Sequence, residues 1–98
     1  MIDSCNDPYL LCIKDATIKK YFGDALSLTI PNNILNIDAE AFVGSNLTNV
    51  IFENPNNWYV GDTIGATTTL LSASDLSNPE IAASYLTNDY NDKYWTQY

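Results

Sequence analysis

The chain predicts an α+β fold. It reads as a single domain built round a short solenoid of about one and a half coils with short parallel strands. A C-terminal cap of strand, helix and aromatic residues closes it. Three observations predict this. The stretches "LSLTI" and "NVIFE" both alternate apolar and polar positions, as half-buried strands do. Leu28 and Ile30 map onto Val50 and Phe52 at a spacing of 22 residues, the period of one strand and one return segment. Seven of the twelve aromatic residues (Trp58, Tyr59, Tyr85, Tyr90, Tyr94, Trp95 and Tyr98) gather in the last part of the chain.

Three sections follow in order. Residues 1–25 form an entry segment, or N-terminal cap. Pro8 precedes "YLLCI", a strand, and Asp15 N-caps a short helix "ATIKKYF" with Ile18 and Phe22 on one face and Gly23 as its C-cap. Residues 26–53 are the repeat unit. Pro31 ends its first strand because proline has no N–H to donate. Ile34, Ile37, Ala41 and Phe42 point inward, and Gly44 and Ser45 make the return turn. Residues 54–98 are the C-terminal cap. Here "WYV" and "TTTLL" are strands. "SNPEIAASYL" starts a helix, with Ser77 and Glu80 at capping-box spacing and Pro79 in the first turn. "KYWTQY" is a last strand. Ile81 shares a helix face with Tyr85, and Ala82 with Leu86.

Composition narrows function. The 98 residues are 46% apolar and only 16% charged, enough for one small core. The formal charge of −8, with four Lys, no Arg and no His, excludes the basic footprint of a nucleic-acid binder. It also removes Ser-His and Cys-His pairs, His metal ligands and bidentate phosphate clamps. No enzymatic activity and no cofactor is expected. No apolar run reaches the roughly 20 residues of a membrane span, so membrane insertion is not expected. "MIDSCNDPYL" has neither a basic start nor an apolar core, so no secretory signal is read there.

The central residues, "LTIPNNILNIDAEAFVGSNLTNVIFE", resemble the BspA-like leucine-rich repeat family. The positions that carry the likeness are Ile30 and Pro31, Ile34, Ile37, Ala41 and Phe42, Gly44, Leu47, and Val50 to Phe52. Asp38 stands where the family usually has Gly. In the tail, Glu53 and Asn54, Trp58, "TTTLLSASDL", "AASYL", and Tyr94 and Trp95 follow the order in which family members close their last repeat. The likeness spans residues 26–98. It implies non-enzymatic binding of the kind found in bacterial surface and adhesion-type proteins and in some protist and phage-associated proteins, and it transfers no catalytic residue.

Several residues are weighed as sites. Trp58 and Trp95 are expected to cover the open end of the core. Tyr59, Tyr90 and Tyr98 are expected at the surface, as the residues that bind a ligand or partner. Asp89, Asn91 and Asp92 lack the Gly and distal Glu of a calcium loop, so no metal is expected. "NLT" at Asn46 to Thr48 reads as a turn before it reads as a glycosylation sequon. Cys5 and Cys12 either bridge a short loop or stay reduced; without an export signal the reduced form is favoured.

The expected function is a non-enzymatic protein- or glycan-interaction module, a small component of a larger assembly or homo-oligomer, such as a phage virion decoration or attachment protein. Its expected place is the surface of a virion or other assembly. The alternatives are a bacterial cell-surface adhesion fragment and an acidic inhibitor that mimics nucleic acid.

Overall fold

A computed structural model of the chain describes residues 11–98, with Leu11 and Cys12 described by their backbone alone. Cys5, and with it the question of a bond to Cys12, lies outside the described residues. The first described element is a hairpin. Strand β1 (Leu11–Lys14) pairs antiparallel with β2 (Thr17–Tyr21). Its two turn residues, Asp15 and Ala16, have φ of 53° and 60°. Left-handed backbone at both positions gives the turn a twist that matches the strands it joins. The helix expected over "ATIKKYF" is therefore not formed. Thr17, Ile18 and Tyr21 are β-branched or aromatic and are buried from an extended segment. Phe22, expected beside Ile18, is 60% exposed. Gly23 is no helix cap. Any side chain there would collide with the ring of Tyr21, whose hydroxyl accepts a hydrogen bond from the Ala25 N–H at 3.3 Å.

The 22-residue correspondence is a real pairing. Strand β3 (Ser27–Ile30) runs parallel to β5 (Asn49–Phe52), with Leu28 opposite Val50 and Ile30 opposite Phe52. Between them, β4 (Asn36–Ile37) runs parallel to β2, with Ile18 opposite Ile37. Ile34, Ile37, Ala41, Phe42 and Leu47 are all buried, and Gly44 turns the chain at φ 82°.

This winding does not continue as a solenoid. Strands β6 (Trp58–Gly61), β7 (Thr69–Leu70) and β8 (Tyr94–Gln97) join β1, β2 and β4 in one mixed six-stranded sheet of order β1-β2-β4-β8-β6-β7, while β3 and β5 form a separate two-stranded sheet. Stacked coils require a parallel neighbour beyond β4. That edge is instead taken by β8, antiparallel, with Ile37 opposite Trp95. The residues expected to lie over the end of a coil thus enter the middle of the sheet. The protein is a small compact α+β domain, with a radius of gyration of 12.1 Å against roughly 13 Å for a compact chain of this length.

Two short helices cross from β7 to β8. Helix α1 (Ala73–Leu76) is capped by Ser72, and α2 (Pro79–Ser84) by Asn78, whose side chain accepts from the Glu80 and Ile81 N–H groups at 3.0 and 3.3 Å. The expected capping box at Ser77 and Glu80 is replaced by this cap, because Ser77 ends α1 and its hydroxyl donates back to Ala73 O. After α2 the chain widens into one π-helical turn over Tyr85–Asp89, closed by the Tyr90 N–H on Tyr85 O at 2.9 Å. Ala82 and Leu86 are buried together. Of the expected strand "TTTLL", only Thr69 and Leu70 pair.

The core is bound by a run of aromatic contacts. Phe52 from the small sheet meets Trp58 edge-on at 5.5 Å and stacks on Trp95 at 5.9 Å, and Trp95 touches Tyr90 at 6.5 Å. Both indoles are 1% exposed, and both are satisfied: Trp58 Nε1 donates to Asn54 O and Trp95 Nε1 to Tyr90 O. Removing either ring would cost about 3–5 kcal/mol.

Candidate interaction surface

Period-2 alternation divides the strands of the large sheet. Trp58, Val60 and Trp95 face the core, so Tyr59 and Thr96 face outward. Directly opposed residues of antiparallel strands share a face. Tyr59 is opposite Thr96 on β8 and opposite Leu70 on β7, which places Leu70, Tyr59 and Thr96 in one row across the outer face. The loop of residues 62–68 folds over this row. Gly61 makes that possible: a Cβ there would strike the Ala66 side chain, with Thr68 Oγ1 at 3.0 Å. The loop is then tied down by Thr96, whose hydroxyl donates to Asn36 Oδ1 at 3.1 Å and accepts from the Gly65 N–H at 3.0 Å.

Tyr98 completes the row and is held at three points. Its N–H donates to Asn57 O at 3.0 Å, its hydroxyl donates to Gly65 O at 2.8 Å, and its ring meets Tyr59 edge-on with centroids 5.8 Å apart. Even so the residue is 66% exposed. Gly65, at φ 82°, carries the carbonyl that fixes it. Leu70 on the adjoining strand and Ile64 in the loop are exposed as well. The row of Leu70, Tyr59, Thr96 and Tyr98 carries no charged side chain, although the chain as a whole carries −8. The ion pair on the same loop joins Lys93 to Asp62 at 2.6 Å, and that carboxylate raises the Lys93 pKa.

The other sequence-derived residues are dispersed. Tyr90 does not join Tyr59 and Tyr98. It is half-buried, edge-on to Tyr85 at 5.1 Å and to Trp95, as part of the core's aromatic run. Asp89 accepts from the Ser84 hydroxyl and the Asn88 amide, and the Asn91 amide donates to Thr87 O, so this turn is bonded within itself. Among the described residues, no group of three or more His, Cys, Asp or Glu is placed to hold a metal ion. Asp38 pairs with Lys19 at 3.3 Å. Asn46 is exposed just after the turn that ends at Gly44, and the Thr48 hydroxyl donates to Leu26 O. Tyr85 donates to Asp75 Oδ2 at 2.8 Å, and that carboxylate, with partial burial, raises its pKa to about 12.

A concavity of about 570 Å³ lies elsewhere, between the start of β5 and α2. Leu47 and Ala83 line it beside the amides, hydroxyls and one carboxylate of Thr48, Asn49, Glu80, Ser84, Thr87 and Asn88, without an aromatic surface. No helix among the described residues is long and apolar enough to cross a membrane.

The sequence singles out Tyr59 and Tyr98 but carries no sign that their rings meet. Leu70, Ile64 and the Gly65 carbonyl were missed. The available signal was the uncharged run "TTTLL", whose exposure is decided by its place at the sheet edge. Comparison of the chain with protein-family models, with curated proteins and with solved structures gives no match.

Proposed function

We propose that this protein is a non-enzymatic module that binds another protein, as one component of a larger assembly, through the outer face of its large sheet at Tyr59, Leu70 and Tyr98. The supporting observation is Tyr98, an exposed ring fixed by a main-chain bond, a hydroxyl bond and an aromatic contact. An exposed side chain normally loses rotamer freedom when a partner covers it, at roughly 0.5–1.5 kcal/mol. Tyr98 has given up that freedom before any partner arrives. Aromatic enrichment and depletion of charge are the compositional marks of an interface centre, and this row has both.

The reading is tested by placing a photo-crosslinking phenylalanine derivative at position 98, at position 70, and at position 51 on the small sheet, in cells that make the protein. Cross-links to a protein at positions 98 and 70 but not at 51 are expected. Equal labelling at all three, or none at 98 and 70, overturns the reading. Glycan-array binding that is lost in Tyr98→Ala, with no protein cross-link, would make the occupant a sugar instead.

A further inference from the structure

The concavity between α2 and the start of β5 is rich in acceptors and short of donors. Along the helical run, Glu80, Ser84, Thr87 and Asn88 fall at i, i+4, i+7 and i+8, the spacing of one helix face, and they line the concavity together with Thr48 and Asn49. A hydroxyl has a single proton to give. All three lining hydroxyls spend theirs inside the protein: Thr48 on Leu26 O at 3.2 Å, Thr87 on Ala83 O at 2.7 Å and Ser84 on Asp89 Oδ2 at 3.4 Å. Each lining amide also spends one N–H, Asn49 on Thr48 Oγ1 and Asn88 on Asp89 Oδ1. What stays uncommitted is mostly lone pairs. Among the described residues, nothing donates to the Ser84 or Thr87 hydroxyl, to the Asn49 or Asn88 amide oxygen, or to the Glu80 carboxylate.

The carboxylate has no cation beside it either. Lys19 pairs with Asp38, Lys93 pairs with Asp62, Lys20 donates to the Glu40 and Val43 carbonyls, and Lys14 lies on β1. Among the described residues, no ion pair involves Glu80. The apolar part of the lining is Leu47 and Ala83, both buried.

We propose that this concavity binds a guanidinium group on an aliphatic stem, supplied by another molecule as an arginine side chain or as a free guanidinium compound. A guanidinium carries five N–H donors and no acceptor, the complement of such a lining. Two parallel N–H groups meet the Glu80 carboxylate, and the others are taken by the uncommitted oxygens of Ser84, Thr87, Asn49 and Asn88. The methylene stem covers Leu47 and Ala83. An anion is repelled by Glu80 and finds few donors, and a neutral sugar leaves the carboxylate unpaired. This chain has no Arg, so a second copy cannot supply the group.

The test titrates N-acetyl-arginine amide into the full chain and follows amide NMR shifts. The same derivatives of lysine and of citrulline, which is arginine's uncharged near-isostere, and N-acetylglucosamine are the comparison probes. The arginine derivative is expected to bind saturably, with shifts centred on Asn49, Glu80, Ser84 and Asn88, and to weaken with salt. The citrulline derivative should bind at least about tenfold more weakly, and Glu80→Gln should weaken the arginine derivative by the same factor. The variant should melt as the parent does, because the Glu80 side chain is exposed and makes no bond among the described residues.

Tighter binding of a Gly-Gly-Arg-Gly-Gly peptide than of butylguanidinium assigns the site to a partner protein, and the reverse assigns it to a small guanidinium compound; either supports the site. Equal binding of the arginine and citrulline derivatives overturns it, as does unchanged affinity in Glu80→Gln. So does tighter binding of the lysine derivative or of N-acetylglucosamine at these residues, or the lack of any saturable shift there. None of the lining residues belongs to the Tyr59 row, so a negative result here leaves the outer face to be decided by its own cross-links.

Discussion

At the scale of single residues, the outer face depends on small atoms being absent. Gly61 lets the loop of residues 62–68 lie flat enough for Gly65 to reach Thr96 and Tyr98. Gly61→Ala should cost about 1–3 kcal/mol through overpacking. It should also free the Tyr98 hydroxyl, seen as a lower melting temperature together with faster motion of the Tyr98 ring in NMR relaxation. A second residue-scale prediction concerns pH. The folded-state pKa of Tyr85 is pushed up to about 12, first by the hydrogen bond it donates to Asp75. The unfolded value is near 10, so folding favours the protonated form. The resulting stabilisation is fully present below about pH 10 and is lost as pH rises toward 12. Tyrosinate absorbance should therefore show one phenol titrating last, and that late phase should vanish in Tyr85→Phe.

At the scale of elements, the local rules succeed where an element meets its own pattern and fail where a turn decides. Asn78, Pro79 and Glu80 specify the start of α2, displaced by one residue from the Ser77 cap that the spacing suggests. The first hairpin escapes the local rules because "DATIKKYF" carries a cap residue and an i,i+4 apolar pair, the pattern of a short helix. Its buried Thr17 and Ile18 instead pair with β4, and two left-handed residues precede them. Ala16 at φ 60° bears a strain that glycine would not, roughly 1–2 kcal/mol by the usual cost of that region. Ala16→Gly should raise stability by about 0.5–1 kcal/mol in denaturant unfolding, since the greater freedom of glycine in the unfolded chain offsets part of the gain.

At the scale of the whole molecule, β8 is the keystone. It lies between β4 and β6 and carries Trp95 into the aromatic core, so the last segment of the chain joins the first half to the second. Truncation after Lys93 should abolish cooperative unfolding, because it removes Trp95, opens two strand edges and leaves Tyr59 without a neighbour on one side. A peptide of residues 94–98 supplied separately should not restore folding at micromolar concentration, since so short a strand lacks the effective concentration of the tethered one. A truncated chain that still melts cooperatively would show that the strands N-terminal to it fold as a unit alone.

The sequence by itself determined the alternation of β3 and β5, their 22-residue register, the inward set Ile34, Ile37, Ala41 and Phe42, and the burial of both tryptophans. Each follows from periodicity and side-chain hydrophobicity read over a few neighbouring residues. It also marked Tyr98, which is exposed, and Tyr59, which is half-buried against it. Tertiary structure alone decided that the aromatic tail enters the sheet and that the winding ends after its first parallel pairs. It also decided that Tyr90 joins the core while Tyr98 is fixed at the surface. Those outcomes depend on pairings across large sequence separations, such as Asn36 with Thr96, and a backbone edge accepts whichever strand brings the better-packed side chains. Here the better-packed strand was the one carrying Trp95.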